Sequence, residues 1–414
     1  MNIRNRVLLG TIGLAACGLA QAQNVTIYGT VFQFLENAKT SNATATAPAD
    51  RPDQVGAGAY TGVNTPSLNR ITAGTSNLGF RGSEELGGGL KAIFQLESAF
   101  QVDGSPGPGW GARNSHVGLQ GSWGTVSLGQ WDTPYKFISL PGVHALRLGY
   151  QADQSPVIGN PGFGVPATTT QAGRAGAKPD AAFDRRQGNS VQYWSPNMGG
   201  ISGRIMYGVN EGKTSATATA PGISPTLLSA SLQYDKGSLS VRYAYEQHDD
   251  YFGMSQLGGS SGATAANASS TDKGHKVVAV WRSGSTRIAG IYERLEYDND
   301  DATAGAVSSY KRNSFYVNAE QGFGKHSLWA AYGRADDGSC GRVGGASCST
   351  KDVGADYLSA GYVYHLSKRT ELIATYYKVD NKASGTYNVL PGVGASIAPG
   401  ADTSAFGVGI AHFF

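Results

Sequence analysis

Apolar side chains return at every second position through most of this chain, a spacing that builds sheet and leaves little room for helix. Leu90, Ala92, Phe94 and Leu96 alternate with Lys91, Ile93, Gln95 and Glu97. Leu239, Val241, Tyr243 and Tyr245 alternate with Ser240, Arg242, Ala244 and Glu246. At the end, Phe406, Val408, Ile410, His412 and Phe414 alternate with Gly407, Gly409, Ala411 and Phe413. Successive side chains of a strand point to opposite faces, so each stretch reads as a strand with one apolar face and one small or polar face. No stretch of comparable length carries a convincing 3.6-residue repeat.

The connectors between these strands come in two lengths that take turns. The tight ones are Ser83–Gly89, Ser122–Gly124, Pro196–Gly200, Lys236-Gly237, Ser283-Gly284, Gly322–Gly324 and Ser367–Arg369. The long ones are Asn37–Asn69, Asp103–Ala112, Asp132–Asp184, Glu211–Pro225, His248–Thr271, Asp298–Ser309, Ala335–Asp352 and Asn381–Gly400. Together they separate sixteen strands. Loops at the two ends of a soluble sandwich have no reason to differ so regularly. A barrel in an outer membrane does, because its periplasmic turns are short and its outer loops long. Hydrocarbon offers no partner to an unpaired backbone group, so such a sheet must close on itself. Sixteen is an even number, as bacterial barrels require, and enough strands to enclose an aqueous channel. The fold expected is therefore all-β: a 16-stranded antiparallel transmembrane β-barrel.

Composition removes other classes. After the first twenty residues no apolar run approaches the roughly 20 residues a helical span needs. Charged residues are 15% of the chain and the net charge is +3, which argues against a nucleic-acid binder. Arg4 and Arg6, the uncharged Val7–Ala20 stretch and Ala20-Gln21-Ala22 read as a secretory signal over residues 1–22, leaving the barrel as 23–414. A competing reading takes Leu14-Ala15-Ala16-Cys17 as a lipobox. Cys340 and Cys348 then remain, either as one small disulfide or as two free thiols. Two cysteines alone make no metal site. Gly258-Gly259-Ser260-Ser261-Gly262 matches a hydrolase elbow, but it lies in Ser/Gly/Ala-rich loop text without the strand and helix that motif needs. The seven histidines fall singly, and Glu84-Glu85 and Asp249-Asp250 are adjacent, so their side chains diverge. No enzyme and no cofactor is expected.

A basic side chain facing lipid at mid-depth costs about 2–4 kcal/mol, so charges belong on the inner face. Arg204 adjoins Ile205, whose face Tyr207 shares, and should point inward. The same parity turns Lys91, Glu97, Arg186 and Arg242 inward. Tyr28, Trp194, Tyr234, Trp281, Trp329, Tyr362 and Tyr364 sit near strand ends, where amphipathic rings suit the membrane–water boundary.

The text Leu78-Gly79-Phe80-Arg81-Gly82-Ser83-Glu84-Glu85-Leu86-Gly87-Gly88-Gly89-Leu90-Lys91-Ala92-Ile93-Phe94-Gln95-Leu96-Glu97 resembles the trimeric general porins of Gram-negative outer membranes, in the branch typical of beta-proteobacteria. Arg113-Asn114-Ser115 with Val117-Gly118-Leu119, Gly124–Gly129, Asn189-Ser190-Val191 with Tyr193, Leu366–Thr370 and the terminal Phe414 continue the likeness over essentially all of residues 23–414. The resemblance implies a homotrimer in outer-membrane lipid that passes small hydrophilic solutes and ions passively. It implies a third loop folded into the lumen and a C-terminal strand, ending in Phe414, that the barrel-assembly machinery reads. That third loop is Asp132–Asp184, with Gly159–Gly164 suited to an internal bend. Asp153 and Asp180 on it would face Arg186, Arg204 and Arg242 and set up a transverse field at a constriction. Porins of this branch usually carry arginine where this chain has Asn77 and Gln130. Weak ion preference is the resulting expectation.

Overall fold

Every neighbouring pair of strands is antiparallel, and the first strand pairs with the last. The computed structural model describes residues 25–48, 60–72, 76–103, 110–140, 153–162, 181–209, 211–218, 221–256, 269–300, 304–389 and 397–414. The signal segment, Gly164 and Asp180 lie outside these residues. In chain order the strands are β1 (Thr26–Ser41), β2 (Leu68–Thr72 continued by Asn77–Gly87), β3 (Leu90–Ala99), β4 (Ser115–Gly121), β5 (Gly124–Asp132), β6 (Arg186–Trp194), β7 (Ile201–Gly208) and β8 (Thr226–Lys236). They continue as β9 (Leu239–Asp249), β10 (Ser269–Ser283), β11 (Thr286–Asp300), β12 (Val307–Phe323), β13 (His326–Ala335 continued by Ser339–Arg342), β14 (Ala355–His365), β15 (Thr370–Asn381) and β16 (Asp402–Phe413).

The eighteen paired segments make sixteen staves, because β2 and β13 are each interrupted once. Both pieces of β2 pair with β1, and both pieces of β13 pair with β12. At the break in β2, the Ser76 hydroxyl donates to the Phe32 carbonyl and accepts from the Phe32 amide, each at 2.9 Å. Strands overrun several connector limits set from the sequence. β2 continues to Gly87, and the turn is made by Gly87, Gly88 and Gly89, all at positive φ, which glycine adopts without a Cβ clash. β1 runs to Ser41, because Asn37–Ser41 still finds partners on β16.

The barrel is apolar outside and mixed inside. Leu35, Val117, Ile205, Leu232, Val277, Ile288 and Val408 are exposed on the outer wall. Glu36, Ser190, Ser229, Arg242, Lys276, Glu293 and Arg312, on the opposite parity, are buried. A soluble protein would not present so continuous an apolar surface to water. The seam is closed at the bottom by Gly29 and Phe414, whose backbone groups exchange hydrogen bonds of 3.2 and 3.1 Å. Cys340 and Cys348 are joined in a disulfide, with Cα atoms 5.7 Å apart, on the connector side of β13.

The aromatic residues divide between the two faces, contrary to the boundary role expected for all of them. Tyr234 and Trp281 are exposed on the outer wall. Trp329 instead packs inward with Phe32, Phe34, Val363 and Ile373. The neighbouring strand has Gly361 there, and a Cβ at that position would come within 2.6 Å of the indole. Tyr28 also turns in, donating to Glu97 at 2.9 Å, and Trp194 packs at a tilt beside Trp131, with ring centroids 5.0 Å apart. Small residues on the inner face leave space that large rings fill.

Candidate functional site

The connector between β5 and β6 is the longest, and its described parts lie against the inner wall. Thr133 caps a short helix, α1 (Pro134–Phe137), accepting from the Lys136 amide through its hydroxyl. The Tyr135 amide donates to the Ser229 hydroxyl on β8 at 3.1 Å. Its phenol donates to Glu293 on β11 at 2.9 Å. Arg242 on β9 donates to the Ile138 carbonyl at 2.8 Å. Further along, the Gly159 amide donates to both Glu293 carboxylate oxygens at 2.8 and 2.9 Å. Arg312 on β12 donates to the Asn160 carbonyl, Tyr310 to Pro161 at 3.1 Å, and Thr386 to Gly162 at 2.6 Å. Gly159 and Gly162 have positive φ, and both fall within the expected bend. On the return, Tyr297 donates to the Ala181 carbonyl. Phe183 stacks on His248 at 4.5 Å and fills the space left by Gly274, where a Cβ would approach its ring to 2.6 Å.

Beneath these contacts lies a buried charge network. Lys276 pairs with Asp184 of the connector and stands 3.7 Å from Glu293, which also contacts Arg312 at 3.4 Å. Lys276 further donates to the Ser139 hydroxyl at 3.1 Å. Buried charges are tolerated only when paired and hydrogen-bonded, and here each wall charge binds both an opposite charge and the connector. Lys276, Glu293 and Arg312 are not among the residues singled out from the sequence. The signal was present: Lys276 precedes the outward Val277 and Glu293 follows the outward Tyr292, so parity alone turns both inward.

The residues singled out from the sequence occupy different settings. Lys91 pairs with Glu85 at 2.6 Å beside the β2–β3 turn, at the short-turn rim. Glu97 pairs with Arg113. Arg186 binds Asp132 at 3.2 Å and donates to Asn114 at 2.8 Å. Arg204 lies against the Phe137 and Trp194 rings. Arg242 is 3% exposed and sits behind the connector. Asp153 accepts from the Ser155 amide at 2.9 Å, capping its own turn. Of these, Arg186 and Arg204 gather round Asp132, which also holds Lys136 at 3.0 Å. Burial holds the Lys136 ammonium below its usual range, and Asp132 opposes that shift. Among the described residues the arrangement offers charge and polar groups along a wall, with no set of them aimed at one reacting bond.

A closed barrel with an apolar exterior is the architecture of an outer-membrane channel, and the comparisons with known proteins agree. The chain belongs to the Gram-negative porin family, whose profile matches residues 10–384. Among curated proteins it is 28% identical to outer membrane porin protein 32 of Delftia acidovorans, covering 98% of this chain and 99% of that one. It is 25% identical to the major outer membrane protein P.IA of Neisseria meningitidis, covering 89% and 93%. Among solved structures, the anion-selective porin from Comamonas acidovorans superposes with a TM-score of 0.69 at 22% identity, covering 95% of this chain and all of that one, and shares the barrel. The protein is thus an outer-membrane porin, a channel.

Proposed function

We propose that the β5–β6 connector narrows the channel and that the protein, working as a homotrimer, passes small hydrophilic solutes and ions by size and charge. The observation that supports this most is the row of bonds between connector backbone groups and inward side chains on five consecutive strands, Ser229 through Arg312. A segment tied to one side of a lumen takes up cross-section there. Purified protein in a planar bilayer tests the reading: conductance should rise in steps grouped in threes, and single, ungrouped steps would remove the trimer.

Ion preference is weak in this reading. Asn77 and Gln130 carry no charge, and many cations near the lumen are already matched: Arg70 with Glu36 at 2.7 Å, Arg113 with Glu97, Arg287 with Glu320 at 2.7 Å. The reversal potential in a KCl gradient is expected well inside the Nernst limit for either ion. Arg204→Glu should move it toward cations, because that charge faces the lumen. Arg242→Gln should move it little, because that charge lies behind the connector. Equal shifts would contradict this assignment of the two arginines.

Phe414 is proposed as the assembly signal. Its deletion removes both backbone bonds to Gly29 and the ring beside it. The folded, heat-modifiable fraction on an unheated gel should drop severalfold, and an unchanged fraction would remove that role.

A further inference from the structure

Arg204 is held in an unusual way. The Phe137 ring of α1 lies 3.4 Å from its guanidinium carbon, and the Trp194 ring, paired with it across β6 and β7, lies 4.5 Å away. Rings take the flat faces of a guanidinium and leave its planar N–H edge for hydrogen bonds. Among the described residues no acceptor meets that edge. Beside it stand Trp131 and His116, 4.6 Å apart, with Trp194 at 5.0 Å from Trp131. The local charge is positive: Arg186, Lys136 and Arg204 share Asp132, while the connector's other nearby acid, Asp184, is taken by Lys276.

We propose that this corner of the lumen is a binding subsite for aromatic monocarboxylates of the benzoate kind. The free fork of Arg204 receives the carboxylate through two parallel N–H bonds, the geometry for which a guanidinium is suited. The solute's ring lies against the indoles of Trp194 and Trp131, where offset or edge contact adds to the charge pairing. The excess of Arg186, Lys136 and Arg204 over the one Asp132 they share draws the anion to that depth. Chloride and acetate can use the charge but not the rings. The subsite slows passage without stopping it, since transport needs a site that solutes also leave. The proposal rests on the reading above that the connector carrying Phe137 borders a water-filled passage.

The test is single-channel recording in KCl with added sodium benzoate, sodium acetate or sodium phosphate. Benzoate should reduce the current saturably, at a half-blocking concentration at least about 10-fold below that of acetate and of phosphate. Arg204→Lys keeps the charge but loses the fork, and should raise the benzoate value by about 10-fold. Trp194→Leu should raise the benzoate value and leave that of acetate unchanged. KCl conductance and heat-modifiable mobility confirm that each variant is folded. Equal block by benzoate and acetate in a conducting channel would overturn the aromatic subsite, as would an unchanged benzoate value in Arg204→Lys. Absence of KCl conductance in the unmodified protein would instead overturn the channel reading beneath it.

Discussion

Glu293→Ala is expected to raise single-channel conductance and to destabilise the barrel by about 3–5 kcal/mol, the cost of removing one partner from a buried ion pair. Glu293 accepts from the Gly159 amide and the Tyr135 phenol and faces both Arg312 and Lys276. Its loss leaves two buried cations with Asp184 as the acid of that network, and it frees the connector at two separated points. Like charges then push the wall and connector apart. Glu293→Gln keeps an acceptor for Gly159 and for Tyr135 but loses the charge, so it should fall between Ala and the unmodified protein in both measurements. Conductance is read in planar bilayers and stability from denaturant unfolding in lipid vesicles. A variant that conducts as before would show that the connector is held elsewhere, and the constriction reading would lose its main support.

Much of this barrel was legible two residues at a time. Parity fixed which side of a strand meets lipid, since one residue of slip would expose Arg242 where Val241 now stands. Turn glycines and loop lengths marked the sixteen strands, although strand ends ran further than expected: hydrogen-bonding partners, not local composition, decide where a strand stops. The interior was harder to read. Which inward charges meet depends on register between strands and on where a long connector settles, and neither is encoded locally. Arg242, between the outward Val241 and Tyr243, and Arg204, beside the outward Ile205, look alike in sequence. Only Ile138, arriving from the connector, places one behind it, and only Phe137 and Trp194 hold the other in the open. Trp329 and Tyr28 depart from the boundary role for a related reason: each fills room left by a glycine on the next strand, Gly361 and Gly79, which no local pattern reveals.

Neighbouring positions on β10 show how sharply the two solvents are divided. Lys276 is fully buried and paired inside, whereas Val277, one residue on, is exposed on the outer wall. Trp281, on the same outer face, marks the lower boundary as an interfacial ring. Four residues along a strand cover about 13 Å. With a strand tilt of about 35–45°, Val277 then lies near the middle of an apolar band about 25 Å tall. Val277→Arg should therefore destabilise the folded barrel by about 2–4 kcal/mol in lipid vesicles, while Val277→Leu should change it by less than about 0.5 kcal/mol. Both replacements remove the same side chain from the same place, and the cost of a charge in hydrocarbon is what separates them. The comparison is made by equilibrium unfolding of both variants in the same vesicles. If Val277→Arg were as stable as Val277→Leu, that wall would be facing water, and a barrel with water on both sides would have no use for the alternation that runs the length of the chain.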